Sequence, residues 1–431
     1  MKNKREINER KRNNARLYPI YKMFSWDLLC FYSIEFLFYT KTKGVTASEI
    51  LIINAFYIIF KLLMQIPAVA ITDILGKRKG IIIGNILIIV YLVTLIISPG
   101  MIGIIIADLF CALGYAIKTI AETNLLYDSV ATRGGEGLYS KLDTKGGSWY
   151  YWIDGIACLS AGYLFVINNY LPMFICLGFV IISTVLSFSF KDIYPTKKNE
   201  RKNIGQVLKD YSLDLRESFK FITKSRRMKS YIIFGAIFYG IIKVIDIYKS
   251  DLLISKGIPE EQFSMIFAIL SLLGGVAVTL SRKIHKKFRN RTLRFISLSY
   301  VGACVLIGIV TNVCTNSVSI PIILIMYAVL RMCTSIWYIL KDKYLKNFST
   351  EKIRNKIMFT YELIVGIVAS TMSVIGSLVL KKFGVDLSFL LVSLAALIAI
   401  VLALDYMRTR FGLKPEEYRK EDIEMKEVIK Q

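Results

Sequence analysis

Acidic and basic side chains lie inside long apolar stretches of this sequence, where a charge is costly. In the hydrocarbon of a membrane, a charged side chain costs a few kcal/mol or more unless it faces a cavity or a partner. Acids outnumber bases in this set, and carboxyl groups in apolar surroundings can bind and release protons. The set comprises Asp27, Glu35, Lys61, Asp108, Lys118, Glu122, Asp154, Lys243, Asp246, Arg331 and Glu362.

Several of these residues follow helical spacing. Asp108, Tyr115, Lys118 and Glu122 recur at intervals of seven, three and four residues, which places them on one face of a helix. Lys118 and Glu122 are also spaced to pair with each other. Similar stripes, each bearing tyrosine, contain Glu35, Lys61, Asp246 and Arg331. The pattern predicts a polar cavity lined by several helices, which binds a substrate or a proton.

Three of the acids lie near the ends of their apolar stretches. These are Asp27, Asp154 and Glu362, and we interpret them as charges at the membrane interface. An aromatic cluster at residues 149–152 begins another apolar stretch. Interfacial anchoring is favoured for this cluster over a cage for a substrate.

The composition predicts an all-α integral membrane protein. Of its 431 residues 55% are hydrophobic and only 8 are proline, and the apolar runs are long enough for transmembrane helices. We predict twelve spans, at about 24–41, 47–71, 80–99, 101–126, 148–168, 171–190, 230–249, 260–281, 293–313, 319–340, 356–380 and 385–405.

The basic residues predict the orientation. Roughly 46 of the 56 lysines and arginines fall in the two tails and in alternate loops, which predicts that both termini are cytoplasmic. The net charge of +24 is thus explained without nucleic acid. The predicted parts are a cytoplasmic N-tail (1–23), a six-helix half (24–190), a cytoplasmic linker (191–229), a second six-helix half (230–405) and a cytoplasmic C-tail (406–431).

A short turn after the second span carries a motif. Residues 69–78 read V-A-I-T-D-I-L-G-K-R and resemble the loop between helices 2 and 3 of major facilitator superfamily transporters, G-x-L-A-D-R-x-G-R-K. Val69 replaces the first glycine and Ile74 replaces the first basic residue. The matching residues are Asp73, Gly76, Lys77 and Arg78.

The resemblance implies a fold of two six-helix halves, with helices 1, 4, 7 and 10 around a central cavity. The polar stripes found by spacing fall on those helices and on helix 2. The resemblance also implies a cytoplasmic gate, in which Asp73 faces the start of span 11 near Ile357 and Arg78 pairs with Asp128.

The resemblance favours proton-coupled export of a small amphipathic or cationic compound. Two features of such exporters are absent: Phe110 stands where they carry an arginine, with Lys118 one turn after Gly114, and span 5 has no proline. Proton-coupled uptake of a small polar or anionic nutrient is the first alternative. A non-transporting membrane receptor or scaffold is the second.

Other classes of function lack a sequence signal. The chain has no glycine-rich phosphate loop, no metal-ligand spacing and one histidine, so we expect no enzyme, cofactor or metal site. We expect the bilayer, a small-molecule substrate and protons to be the partners, and a bacterial inner membrane to be the location.

Overall fold

The structure, a computed structural model, describes residues 2–131, 135–193, 204–288, 291–314, 316–347 and 354–411. Regular secondary structure in these ranges is helical, without a strand. The helices are α1 (Lys2–Ser25), α2 (Glu35–Leu37), α3 (Ala47–Leu63), α4 (Gln65–Leu75), α5 (Lys77–Ile97), α6 (Gly100–Val130), α7 (Gly135–Ile167), α8 (Leu171–Ser187), α9 (Ile204–Lys224), α10 (Arg226–Ser255), α11 (Glu260–Phe288), α12 (Thr292–Val313), α13 (Asn316–Asn347) and α14 (Arg354–Phe411).

The helices are long and apolar enough to cross a membrane. Eight described helices qualify singly, and α3 and α4 qualify together as a pair bent by 42°. Helix α14 spans 58 residues, but Gly384, with a φ of 70° and a ψ of 172°, is not helical. The segment is therefore two helices joined at a kink. The prediction of an all-helical membrane protein is confirmed, whereas twelve crossings and cytoplasmic termini stay predictions.

The first predicted span is not one helix. Helix α1 ends at Ser25, residues 26–34 are non-helical, and the chain becomes helical again in α2 and a π-helical turn, Phe38–Thr42. Cys30 has a φ of 66°, the only described residue other than glycine with a positive φ. We call residues 26–34 the span-1 break. The sequence gives no warning of it, because the segment contains neither glycine nor proline.

The predicted N-tail is part of a packed helix. Helix α1 includes residues 2–23 and lies against α7, where Gly146 and Gly147 leave room for Lys22 and Trp26. The Asn14 amide donates to the Lys191 carbonyl at 2.8 Å and accepts from the Lys191 N–H at 3.1 Å. The predicted boundary at residue 23 therefore lies within a continuous helix. Residues 194–203 of the predicted linker and 412–431 of the predicted C-tail lie outside the described residues, whereas α9 occupies much of the linker.

The chain forms two compact units. Unit 1 contains Met1–Val45, Ile59–Tyr211 and Glu260–Ala268, and unit 2 contains Thr46–Ile58, Ser212–Pro259 and Ile269–Gln431. Each unit thus includes one segment that the sequence assigns to the other half. In unit 2, Ser370 donates to the Ala55 carbonyl at 3.1 Å.

Two glycines bring α5 and α6 into close contact in unit 1. A Cβ atom on Gly84 would lie 2.8 Å from the Lys118 Cβ and 2.9 Å from the Gly114 carbonyl oxygen. A Cβ on Gly114 would in turn lie 2.9 Å from the Gly84 carbonyl oxygen. Small residues permit this approach of helix backbones in membranes. The contact fixes the position of Lys118.

Replacing Gly84 with alanine should destabilise the protein. The added methyl group has no room against α6, and overpacking of this kind costs about 1–3 kcal/mol. We expect a lower thermal midpoint for Gly84→Ala in detergent, measured by size-exclusion chromatography after heating. Gly178→Ala is the control, because nothing lies within 4 Å of its added Cβ. Equal midpoints for the two variants would contradict the proposed close contact.

Candidate functional site

The polar stripe of α6 faces the interior of unit 1. Asp108 is 6% exposed, Lys118 4% and Glu122 2%, while Tyr115 is half-buried. Charged residues are almost never fully buried unless they are paired, so each needs a physical explanation. Asp108, Lys118 and Glu122 contact different residues, so the polar stripe of α6 comprises separate sites.

Lys118 bonds to the end of α1. Its ammonium donates to the carbonyl oxygen of Ser25, the last residue of that helix, and lies 4.4 Å from the centroid of the Tyr115 ring. The last carbonyls of a helix have no partner within the helix, and the dipole there attracts a cation. Lys118 therefore caps α1 at the span-1 break.

Glu122 bonds to α1 rather than to Lys118. Its carboxylate accepts from the Tyr21 hydroxyl at 2.5 Å and from the Lys22 ammonium at 3.2 Å. The Lys22 ammonium also lies 3.8 Å from Asp143 on α7. The direct pairing of Lys118 with Glu122 that the spacing suggests does not form. Sequence reasoning missed Lys22 because it falls in the basic run assigned to the N-tail.

Asp27 lies in the span-1 break and is held there by three hydrogen bonds. One carboxylate oxygen, Oδ1, accepts from the Leu28 N–H at 3.0 Å and from the hydroxyls of Tyr32 and Tyr115 at 2.8 Å each. The donors fix the direction of the carboxylate and leave its second oxygen without a recorded bond among the described residues. From the sequence we interpreted Asp27 as a charge at the membrane interface. That interpretation does not account for these three hydrogen bonds.

Aromatic rings and a second acid lie beside Asp27. Trp26 stacks against Tyr150 and Tyr151 of α7, with ring centroids 6.4 and 6.2 Å apart. Asp154 is one turn beyond Tyr150 on the same helix, and its carboxylate is close enough to Asp27 for the two charges to repel. The aromatic cluster of residues 149–152 thus contacts the span-1 break through two of its rings.

Glu35 and Asp108 form another pair of acids, on the far side of the break. Their carboxylates are electrostatic neighbours, and both lie near the buried hydroxyls of Tyr39 and Tyr91. Asp108 is almost completely buried, yet it makes no hydrogen bond or ion pair with any described residue. Its burial without a partner makes it the least explained charge in unit 1.

The remaining predicted site residues are Lys61, Asp246 and Arg331. Lys61 is exposed at the end of α3 and makes no ion pair with a described residue. In unit 2, Asp246 pairs with Lys249 at 2.8 Å, and the exposed Arg331 donates to Ser271 at 3.4 Å. Lys249 was not predicted, although its spacing of three from Asp246 is a usable signal.

The predicted gate residues surround the turn between α4 and α5. Gly76 adopts a φ of 88°, a conformation that favours glycine, and Asp73 is exposed. Lys77, not Arg78, forms the ion pair with Asp128. All five predicted gate residues lie in unit 1.

Arg78 has different partners. Its backbone N–H donates to Asp192 at 2.9 Å and its guanidinium donates to the Phe188 carbonyl at 2.8 Å. The pairing of Arg78 with Asp128, implied by the resemblance, is therefore replaced by a contact to the chain that follows α8. Asp192 was not predicted, because no local pattern links residues so far apart in sequence.

Long apolar helices with buried acids and a broken span define an integral membrane protein of the transporter class. The sequence profile of the Major Facilitator Superfamily matches residues 23–340, most of the chain. The chain belongs to this superfamily. It is a transporter and not an enzyme. No curated protein matches its sequence.

Solved structures of transporters share the fold. The nucleoside transporter NupG is similar at 12% identity and a TM-score of 0.68, covering 94% of this chain and 100% of its own. A D-xylose-proton symporter gives 12% identity, a TM-score of 0.65 and coverage of 91% and 97%. The peptide transporter POT in complex with sulfate gives 11%, 0.66, and 93% and 94%. At these identities the likeness shows the fold alone.

Removing the Glu122 charge should destabilise unit 1. Breaking a buried pair costs about 3–5 kcal/mol, because Lys22 is left without its nearest partner. We expect Glu122→Gln to lower the thermal midpoint in detergent by several degrees. Glu6→Gln is the control: it removes an exposed partner of Arg10, and surface pairs contribute about 0–1 kcal/mol. An unchanged midpoint for Glu122→Gln would show that the buried pair adds no stability.

Proposed function

We propose that this protein is a proton-coupled secondary transporter that exports a small amphipathic or cationic compound. The observation that carries the proposal is Asp108, which is 6% exposed, makes no hydrogen bond with a described residue, and lies close enough to Glu35 for the two carboxylates to repel. A carboxylate buried in this way is costly, and binding a proton removes the cost. Asp108 is therefore our candidate proton carrier, with Glu35 as the group that repels its charge.

The balance of charges in unit 1 supports a cationic substrate. Lys22 is bonded to Glu122, and Lys118 is bonded to the Ser25 carbonyl, so the buried lysines are already engaged. Asp27 and Asp154 have no ion pair with a described residue. A cavity with unpaired carboxylates and engaged bases favours a cation over an anion. Competition between protons and that cation would make the protein an antiporter.

A second candidate is proton-coupled uptake of a small polar or anionic nutrient. The exposed Lys61, without an ion pair among the described residues, supports it, since its ammonium could bind an anionic group. One similar structure is a D-xylose-proton symporter, whose name is consistent with proton-coupled uptake.

Asp108→Asn should abolish coupled proton movement. The amide keeps the shape of the side chain but cannot carry a proton at neutral pH. In proteoliposomes containing a pH-sensitive dye, we expect the wild type to move protons opposite to a lipophilic cation such as tetraphenylphosphonium. We expect Asp108→Asn to fall to the level of empty liposomes, and Glu35→Gln to alter the pH dependence.

Asp405→Asn is the matched control, because Asp405 is exposed on α14 and belongs to unit 2. Proton flux through Asp108→Asn equal to that of the wild type would overturn the assignment of Asp108. Proton flux in the same direction as an anionic nutrient would replace export with uptake.

We also propose that the ion pair of Lys77 and Asp128 belongs to the cytoplasmic gate, with Asp73, Gly76 and Arg78 beside it. Lys77→Asp and Asp128→Lys should each reduce transport severalfold by placing like charges together. The double variant restores opposite charges and should recover most of the rate in the same assay. Failure of the double variant to recover while folded would argue against a role for the pair itself.

A further inference from the structure

The span-1 break places a carboxylate, aromatic rings and unbonded hydroxyls together in unit 1. We propose that this place binds the charged centre of the substrate, and that the substrate is a lipophilic organic cation. The proposal deepens the proposed function, on which it rests, by assigning the substrate class and its site. We call Trp26, Asp27, Tyr115, Tyr150 and Asp154 the aromatic-carboxylate site.

Asp27 is oriented for a ligand. Its Oδ1 atom accepts three hydrogen bonds, from one backbone N–H and two tyrosine hydroxyls. These bonds hold the group rigidly, so a cation that approaches the other oxygen finds an acceptor already in position. A fixed acceptor loses little entropy on binding, which is the advantage of a preorganised site.

The aromatic rings already bind ammonium groups of the protein itself. The Lys22 ammonium lies 4.7 Å from the centroid of the Trp26 ring, and the Lys118 ammonium lies 4.4 Å from that of Tyr115. Both distances are within the 6 Å range of a cation–π interaction. The rings therefore have the chemistry to accept an external cation, and rings beside a carboxylate are the usual means of binding one.

Polar groups without partners lie in the break and directly before it. The hydroxyl oxygens of Ser25 and Ser33 are buried and have no hydrogen-bond partner among the described residues. Both serines are only 4% exposed; Ser33 lies in the break, and Ser25 is the last residue of α1. Buried hydroxyls are nearly always bonded, so an unbonded pair indicates a place for a bound molecule or water.

Local charge determines the sign of the ligand. Lys22 pairs with Glu122 and lies near Asp143, and Lys118 attracts both Glu122 and Asp27. Two lysines thus face four carboxylates, with Asp154 the fourth, which leaves an excess of negative charge among these described residues. The two carboxylates repel each other. A cation placed between them removes that repulsion, whereas a neutral or anionic ligand does not.

The test is equilibrium binding of radiolabelled tetraphenylphosphonium to the purified full-length protein in detergent, without a pH gradient. We expect saturable binding that the neutral triphenylphosphine oxide does not displace. Asp27→Asn and Asp154→Asn should each weaken binding by about tenfold or more, because each removes a charge that faces the ligand. Trp26→Leu should weaken it by about threefold to thirtyfold through the lost ring.

Two further variants separate this inference from the proposed proton coupling. Asp405→Asn should bind as the wild type does, and Asp108→Asn should keep binding while losing proton movement. Absence of saturable binding by the wild type, or equal binding by folded Asp27→Asn and Asp154→Asn, would overturn the aromatic-carboxylate site. Proton movement that is driven by a different compound and lost in Asp108→Asn would then still support the proposed coupling. Saturable cation binding without any proton movement would instead overturn the coupling and leave the site, so the two failures are distinguishable.

Discussion

The bond from the Lys118 ammonium to the Ser25 carbonyl is the contact on which the arrangement of unit 1 depends. It joins the middle of α6 to the last residue of α1. The ammonium donates a hydrogen bond to a carbonyl oxygen that has no partner within the helix. The close approach of α5 at Gly84 fixes the Lys118 backbone. Once the end of α1 is held in place, the chain that follows it is directed toward Tyr115 and α7.

Two pairs of acids are thereby kept in different surroundings. Asp27 and Asp154 lie among tyrosines and a tryptophan, and two tyrosine hydroxyls donate hydrogen bonds to Asp27. Asp108, next to Glu35, lies where the described residues offer its carboxyl no donor. The same functional group thus meets contrasting environments within unit 1, and this contrast is the physical basis for the two roles that we propose, binding a cation and carrying a proton.

Spacing along the sequence predicted the parts of this arrangement that depend on helical geometry. Asp108, Tyr115, Lys118 and Glu122 share a face because residues three and four apart on a helix are neighbours. The span-1 break could not be predicted, because it depends on contacts from residues 88 and 93 positions away rather than on its own composition. The partners of Arg78 in the predicted gate could not be predicted for the same reason, because they too lie far away in the sequence.

A basic run looks alike in sequence whether water or protein surrounds it. Lys22 could therefore be read as part of a tail, although it is bonded to Glu122 and lies over the Trp26 ring. Asn14 and Lys191 likewise have no local signal, since their bonds join residues 177 positions apart. Such long-range contacts lie outside what a pattern of residue types can indicate.

These separations also bear on the order in which the protein can be assembled. The first span is synthesised with its break still lacking Tyr115 and Lys118, and α1 lacks Lys191 until the sixth apolar run has been made. Contacts so distant in sequence form late, after their loops close. The earliest segment to reach the membrane therefore acquires its native shape only after these later helices have been made, and its exposed polar groups must be sheltered in the meantime.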